Sequence, residues 1–277
     1  MGDDLTANPG DNTVYILGTG RSLLNLSSDE RRYLDAHPRT LAMNRFYLYY
    51  ERLDVCPSML FLSDFNYYAD LILHACIKRL REEGRSLPYY VSDGYIRFYR
   101  SAAWRHLTFK RKMRRRLYRQ SGYKPGPLPD YDRLEGFPVS NEAENFYWAR
   151  NFNTPLYHRR GSLTVAINLA NLLYPGACIK LLGIDLSSPG YFYDEMITSQ
   201  NRDLWVDNKY DQSKRLGVHA NARPKRHDST TLCDVMRDVN AELTSQGVGL
   251  FCCSQGSLLV TEGVVPYAPV IDSSENS

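Results

Sequence analysis

The sequence predicts an α/β fold in which a mainly parallel sheet is covered by helices. Short apolar runs of strand length alternate with longer segments of helical periodicity, which is typical of parallel sheets. The 277 residues are 43% hydrophobic and 23% charged. That composition is typical of a globular protein and excludes a chain that is disordered, collagen-like or coiled-coil throughout. Residues 94–160 interrupt the alternation, so we expect an insert or a helical lid there.

The first half of the chain supplies three predicted strands and one helix. Thr13–Leu17 is a short apolar run that ends in a glycine, as a buried strand does. Arg39–Met43 and Ser58–Leu62 have the same character. In Ala69–Glu83 the apolar residues recur every three or four positions, which predicts a helix.

The second half continues the alternation of helix and strand. Leu163–Tyr174 is an apolar helix that leads through a Pro-Gly turn into a predicted strand, Cys178–Ile184. Asp228 or Ser229 is expected to cap the next helix. Val248–Cys253 is the last predicted strand. The chain therefore divides into a main α/β domain (13–93 and 161–265), the insert (94–160) and flexible ends (1–12 and 266–277).

Basic residues are concentrated within the insert. Residues 105–124 contain nine Lys or Arg and no acid, whereas the rest of the chain has 25 basic against 31 acidic residues. One interpretation is a solvated helix face; the other is a cationic surface that contacts an anionic membrane. We do not expect nucleic acid as a partner, because the remainder is acidic and no nucleic-acid motif occurs.

Several classes of protein are disfavoured. No apolar run is long enough to span a membrane, and the N-terminus lacks the features of a secretory signal. The six cysteines form no CxxC pair, so we expect reduced thiols. Asp130-Tyr131-Asp132 matches a metal-binding pattern but lies in a proline-rich loop, and we expect no metal. These features predict a cytoplasmic protein that can lie on the inner face of the membrane.

A glycine-containing turn is the first chemical signal. Gly18-Thr19-Gly20-Arg21-Ser22 directly follows the first predicted strand, where small residues let backbone N–H groups approach a phosphate. Leu23 occupies the third glycine position of the dinucleotide fingerprint, which disfavours NAD. The Lys-Ser/Thr ending of a Walker loop is also absent.

Polar residues follow other predicted strands at the same edge of the sheet. Because the carboxyl ends of parallel strands share one edge, we expect these residues to line a pocket. An arginine at the start of the second apolar helix is expected to bind a carboxylate or phosphate. The residues are Asn44, Ser63, Asp64, Gly183, Asp185, Arg160 and Ser162.

Four blocks together resemble the bacterial CMP-sialic acid transferases of carbohydrate-active family 42 and related enzymes that use CMP-Kdo or other keto-sugar acids. The blocks extend from the first strand to about residue 260, whereas residues 65–158 do not match. They are ILGTGRSL (16–23), MNRFY (43–47), RRGSLTVAINLANLLYPGACIKLLGID (159–185) and SQGSLL (254–259).

The resemblance implies a GT-A-like, Rossmann-type sheet, a CMP-sugar donor, a flexible lid and no metal or other cofactor. Tyr191 matches a tyrosine that donates a hydrogen bond to the donor phosphate. Ser187 replaces a second such tyrosine, and Tyr193 or Ser187 is the candidate substitute. The nucleotide and phosphate are expected to bind at Gly18, Thr19, Gly20, Ser22, Asn44, Ser63, Ser162 and Gly183.

An inverting transfer requires a general base on the acceptor hydroxyl. The resemblance implies a histidine before the helix that follows residue 228, and two candidates exist, His219 and His227. Asp64 or Asp185 could instead act as a nucleophile and give retention, although Asp185 is better explained as a residue that fixes the loop or binds a ribose hydroxyl. The sequence leaves this choice, and the oligomeric state, open.

The leading hypothesis is a glycosyltransferase that moves a sialic acid-type or Kdo-type sugar from CMP to a glycan or a lipid-linked saccharide. Arg160 is expected to bind the donor carboxylate or phosphate. Two alternatives are a Mg²⁺-dependent pyrophosphokinase-like nucleotide enzyme and a noncatalytic adaptor that binds a membrane or nucleic acid through residues 105–124.

Overall fold

The computed structural model describes residues 12–64, 67–100, 130–140, 143–188, 190–197, 217–225 and 227–272, except the side chains of 67, 68 and 98–100. Seven parallel strands form one sheet in the order β5-β4-β3-β2-β1-β6-β7. They are β1 Thr13–Leu17, β2 Thr40–Met43, β3 Met59–Leu62, β4 Tyr89–Ser92, β5 Leu134–Phe137, β6 Cys178–Leu182 and β7 Leu250–Cys252. The predicted α/β class is confirmed, with a Rossmann-type arrangement.

Helices connect these strands. They are α1 Ser28–Ala36, α2 Tyr67–Glu82, α3 Asp93–Arg100, α4 Ser162–Leu173, α5 Leu232–Ser245 and α6 Leu258–Thr261. Within the described ranges, no helix combines the length and the apolar character that crossing a bilayer requires.

Both faces of the sheet are buried. Alternate residues of β1 enter two separate apolar cores: Val14 and Ile16 pack with α4 and α5, whereas Tyr15 and Leu17 pack with α1 and α2. Covering on both sides explains why the central strands are continuous apolar runs without polar alternation. Each fully buried aliphatic side chain contributes about 1.5–3 kcal/mol to folding.

The predicted insert is only partly separate from the main domain. Leu134–Phe137 forms edge strand β5, which pairs with β4. Neither strand was predicted from the sequence: β4 is a buried run of only four residues, and β5 contains an exposed glutamate and a glycine between Leu134 and Phe137. Further along, Asn168 of α4 accepts hydrogen bonds from the backbone N–H groups of Ala149 (3.3 Å) and Tyr157 (3.1 Å). The basic segment 105–124 lies outside the described residues.

Two predicted boundaries differ from the structure. Thr231, and not Asp228 or Ser229, caps α5, because the Thr231 hydroxyl and the Asp234 carboxylate form a reciprocal capping box. The end of the chain up to Asp272 is fixed to the sheet rather than flexible. Tyr15 Oη donates to Val270 O (2.8 Å), and the buried Lys180 Nζ donates to Pro269 O (2.9 Å).

All six cysteines are free thiols. Burial raises the pKa of Cys76 and Cys233 to about 12, so both stay protonated at neutral pH. These are the properties of buried reduced thiols that the sequence predicted.

Candidate functional site

The sheet order creates a crevice at the carboxyl ends of β1 and β6. The strands β2 to β5 extend from one side of β1, and β6 and β7 extend from the other. Ligands of doubly wound sheets bind at such a switch point. A cleft of about 1120 Å³, part of which is open solvent, lies there. Of the predicted site residues, the cleft is lined by Gly18, Thr19, Gly20, Asn44, Asp64, Ser162, Gly183, Asp185, Tyr191 and His219.

The glycine turn after β1 packs directly against the loop after β6. Gly18 N donates to Leu182 O and Gly20 N to Gly183 O, each at 2.8 Å. A Cβ atom on Gly18 would lie 2.5 Å from Gly183 O, and one on Gly20 would lie 2.6 Å from the Asp185 carboxylate. The glycines therefore allow two loops to touch. Their own amides are bonded to protein carbonyls, which corrects the expectation that these amides approach a phosphate.

Asp185 joins the same two loops. The backbone N–H of Ser22 donates to the Asp185 carboxylate at 2.9 Å, and the Ser22 hydroxyl donates to its second oxygen. Asp185 is 7% exposed. Both carboxylate oxygens are thus engaged, and Ser22 lies behind the cleft wall. The arrangement fits a structural role for Asp185 better than a nucleophilic one.

The late SQGSLL block supports this loop from the other side. The buried Ser257 hydroxyl donates to Ile184 O at 2.6 Å, and Leu258 N donates to Asp185 O at 3.0 Å. The Ser187 hydroxyl donates to Gly256 O at 2.7 Å. The Ser187 hydroxyl therefore already donates to the backbone, so Tyr193 is the better candidate of the two expected hydroxyl donors.

The opposite wall of the cleft, formed after β2 and β3, has few such contacts. Asn44 adopts a left-handed conformation (φ 53°), and its backbone N–H donates to Phe61 O at 2.9 Å. Its side-chain Oδ1 is buried, and no described residue bonds to it. The buried Ser63 Oγ, just behind this wall, likewise has no hydrogen-bond partner in the described ranges. Unsatisfied buried oxygens and strained backbone both concentrate at ligand sites.

Tyrosines form another part of the wall. Tyr191 pairs with Gly20 through a short β-bridge and stacks on Tyr193 at 5.3 Å between ring centroids. Tyr193 also lines the cleft. Burial raises the pKa of Tyr193 well above 10, although the nearby Arg45 charge opposes this effect. Tyr193 is therefore a neutral hydrogen-bond donor at any physiological pH.

The start of α4 faces the cleft through its backbone rather than through Arg160. Gly161 occupies the N-cap with φ 125° and provides no side-chain cap, and Ser162 lines the cleft. Arg160 is left-handed (φ 61°) and 1% exposed, and its guanidinium donates to Arg223 O behind the wall. The structure does not bring Arg160 to the cleft surface.

The two candidate histidines are separated by the fold. His219 lines the cleft, and its Nδ1 accepts a hydrogen bond from Asn221 N at 3.2 Å. His219 N donates to Leu186 O at 3.1 Å, which attaches this turn to the loop after β6. His227 is exposed and outside the cleft. The geometry favours His219.

Sequence reasoning missed Arg45 and Asn221, which also line the cleft. Arg45 is 9% exposed, and its charge acts on the buried Tyr49 and Tyr193, whose pKa values it lowers against the effect of burial. The signal was available: Arg45 follows Asn44 at the same strand end. A cation in the cleft was expected from Arg160 instead.

The DxD-like loop lies far from the cleft. Asp132 immediately precedes β5, at the amino edge of the parallel sheet, whereas the cleft is at the carboxyl edge. Tyr131 Oη donates to Leu87 O at 2.6 Å, which fits a structural loop. Within the ranges that the structure describes, no three His, Cys, Asp or Glu residues are grouped as metal ligands.

Comparisons with known proteins found no match for this chain among protein-family models, curated proteins or solved structures.

Proposed function

We propose that this protein is a glycosyltransferase that transfers a 2-keto sugar acid, of the sialic acid or Kdo type, from a CMP donor to a glycan or a lipid-linked saccharide. One observation carries the proposal. Residues from four separated sequence blocks meet around the cleft at the switch point, where they line it or support its wall. This wall contains Asn44 Oδ1, a buried oxygen to which no described residue bonds. An unsatisfied acceptor favours a ligand that carries hydroxyl or amino donors, as a nucleotide and a sugar do.

The cleft has the groups needed to bind an acidic donor. The N-terminus of the 12-residue helix α4 lacks a side-chain cap. Free N–H groups and the helix dipole attract a phosphate or carboxylate there. Arg45 adds a buried cation to the same cleft. These features support a ligand with two anionic groups, such as the phosphate and the carboxylate of a CMP-linked keto-sugar acid.

The leaving group is CMP, whose phosphate gains charge as the glycosidic bond breaks. Hydrogen-bond donors that already point at the developing charge stabilise it without reorganisation. Tyr191 and Tyr193 are stacked in the cleft, and burial keeps Tyr193 neutral. They are the proposed donors to the phosphate, and they could act without a metal ion.

A thermal-shift panel tests ligand class directly. Purified protein is melted with CMP, CDP, ATP, CMP-Neu5Ac and CMP-Kdo, and we expect CMP and one CMP-sugar to raise the midpoint. The same donor should then release CMP in the presence of EDTA. Preference for ATP, with EDTA-sensitive AMP release, would favour a pyrophosphokinase. If no CMP compound binds or turns over, the proposal is wrong.

Matched variants locate the activity. Asn44→Ala should weaken turnover, because Asn44 lines the cleft. Asp132→Asn serves as the control, because Asp132 is exposed at the opposite edge of the sheet. Equal losses in both variants would contradict the proposed location. The role of segment 105–124 at a membrane stays a prediction.

A further inference from the structure

We propose that Asp64 accepts the proton of the acceptor hydroxyl and that His219 donates a hydrogen bond from Nε2 to the leaving phosphate. This inference rests on the proposed function and deepens it. It reverses the role that the sequence resemblance suggests for the histidine, and it follows from the geometry of the cleft.

The hydrogen bond at His219 Nδ1 fixes the tautomer. Asn221 N donates to Nδ1 at 3.2 Å, so Nδ1 is an acceptor and carries no proton. The neutral ring then carries its proton on Nε2. A histidine base acting through Nε2 needs the opposite tautomer, with a proton on Nδ1, where the Asn221 N–H already lies. With this hydrogen bond in place, Nε2 is a donor and the ring is not a base.

His219 lies on the phosphate side of the cleft. Its backbone N–H donates to Leu186 O, in the loop after β6. Asn221, in the same turn, covers the start of α4: a Cβ on Gly161 would lie 2.7 Å from Asn221 Nδ2. The histidine turn therefore contacts both the loop after β6 and the start of α4. A hydrogen-bond donor on His219 is therefore near the phosphate or carboxylate that the N-terminus of α4 attracts.

Asp64 lies at the other end of the cleft. It follows β3, and β3 is separated from β6 by β2 and β1. At about 4.8 Å per strand, that separation is roughly 14 Å at the backbone.

The environment of Asp64 also differs from that of Asp185. Both carboxylate oxygens of Asp185 are engaged by Ser22. Within the described residues, no hydrogen bond or ion pair involves the Asp64 carboxylate. The other charged or titratable residues of the cleft wall are Arg45, Asp185, Tyr191, Tyr193 and His219. Of the two cleft carboxylates, Asp64 can accept a proton without breaking the loop network.

The proposed step is a single displacement. The acceptor oxygen forms a bond to the anomeric carbon of the donor, and its proton moves to the Asp64 carboxylate. The bond from the anomeric carbon to the phosphate oxygen breaks, and its electron pair stays on CMP. His219 Nε2–H and the tyrosines hydrogen-bond to that phosphate. The products are the glycoside, CMP and protonated Asp64, which returns its proton to water.

The tautomer can be measured without any activity. Nitrogen-15 NMR of histidine-labelled full-length protein distinguishes Nε2–H from Nδ1–H, and His219→Gln assigns the signal. We expect Nε2–H. His37 is an internal reference, because its Nδ1 also accepts a backbone N–H, from Arg39 at 3.2 Å. A neutral His219 with its proton on Nδ1 would overturn the proposal, whether or not the protein is a transferase.

Kinetic variants test the roles. With the CMP-sugar that the wild type cleaves, His219→Gln keeps an N–H donor near the Nε2 position and should lose less than about tenfold. His219→Phe should lose about 10²–10³-fold in kcat. Asp64→Asn should lose about 10²–10⁴-fold and should also lose the acid limb of the kcat/KM profile. Melting temperatures check that each variant is folded.

Two results would contradict the assigned roles. One is a His219→Gln variant that is as inactive as His219→Phe and lacks the acid limb, which would make the histidine the base. The other is a glycosyl adduct on Asp64, detected by intact mass after incubation with donor alone, which would make Asp64 a nucleophile. In contrast, failure of the wild type to bind or cleave any CMP-sugar refutes the proposed function, while the NMR result still decides the tautomer.

Discussion

The two walls of the cleft differ in how completely their polar groups are satisfied. The switch-point wall, residues 18–22 and 183–187 with the supporting block 254–259, is tied together by backbone and carboxylate hydrogen bonds. The β2–β3 wall contains Asn44, with Ser63 behind it, and both have buried oxygens to which no described residue bonds.

This difference distinguishes the wall that supports the cleft from the wall that is suited to bind a ligand. A buried donor that is already bonded cannot donate to a ligand without losing that bond, and a bonded acceptor gains less from a ligand than an unsatisfied one. The switch-point wall, which carries the most recognisable motifs, therefore supports the cleft. The less conspicuous β2–β3 wall is better suited to contact a substrate. Four predictions test this contrast.

The largest effect is expected on the switch-point wall. In Gly18→Ala the new methyl group would lie 2.5 Å from Gly183 O and 2.4 Å from Ile184 Cδ1. We expect the free energy of unfolding to fall by about 3 kcal/mol, measured by chemical denaturation. Gly256→Ala is the control, because no atom lies within 4 Å of its added Cβ. Equal stability of the two variants would show that the loops are not in close contact.

The second prediction concerns the pH dependence of the unfolding free energy, and its expected size is similar. It arises from a histidine in α2, below the β2–β3 wall. Burial lowers the pKa of His74 in α2 from 6.5 to about 4, so the unfolded state binds a proton that the folded state does not. Stability should therefore decrease as the pH falls from about 7 to 4, by at most about 3 kcal/mol, because the Asp70 carboxylate 3.7 Å from Nε2 opposes the effect of burial. His74→Gln should flatten this part of the stability curve. The exposed His227→Gln should leave it unchanged; the same slope in both variants would contradict the assignment.

A third variant should separate binding from stability. Asn44→Gly removes the unsatisfied oxygen and places glycine at a left-handed position (φ 53°). Unfolding free energy should change by less than about 1 kcal/mol. The affinity for CMP, measured by calorimetry, should fall about tenfold, which corresponds to about 1.4 kcal/mol. Unchanged affinity would mean that Asn44 does not contact the ligand.

The smallest effect is expected at Ser63. Ser63→Ala replaces a buried hydroxyl that no described residue satisfies. Because no hydrogen bond is lost, stability should change by less than about 0.5 kcal/mol or increase slightly. A loss of 2 kcal/mol in thermal or chemical unfolding would reveal a bond that the β2–β3 wall is not expected to have.

Local patterns were sufficient for much of the fold. The strands β1, β2, β3, β6 and β7 are apolar runs, and the helices α2, α4 and α5 have clear periodicity, so each was predicted within a few residues. The strands β4 and β5 were missed. Leu134–Phe137 is a short edge strand in which only Phe137 is buried, and its pairing with β4 comes from tertiary contact rather than from a local pattern.

The candidate site was predicted in part, for a similar reason. The rule that parallel strands share a carboxyl edge brought Gly18, Asn44, Asp64 and Asp185 to one cleft. That rule places backbone positions and says nothing about where a long side chain extends. The Arg160 side chain extends to Arg223 O behind the wall. Arg45, which follows Asn44 at the end of β2, supplies the cation in the cleft instead.

By itself, the sequence determined the α/β class, the order of most elements and the edge at which polar residues gather, because hydrophobic periodicity and strand polarity are local properties. Only the tertiary structure decided which of those polar groups are already bonded to one another. Asp185 and Asp64 both follow strands and both line the cleft, yet only Asp185 is tied to Ser22, 163 residues away. Hydrogen bonds between distant segments exist only after the chain has folded, so no local pattern could have identified Ser22 as the partner of Asp185.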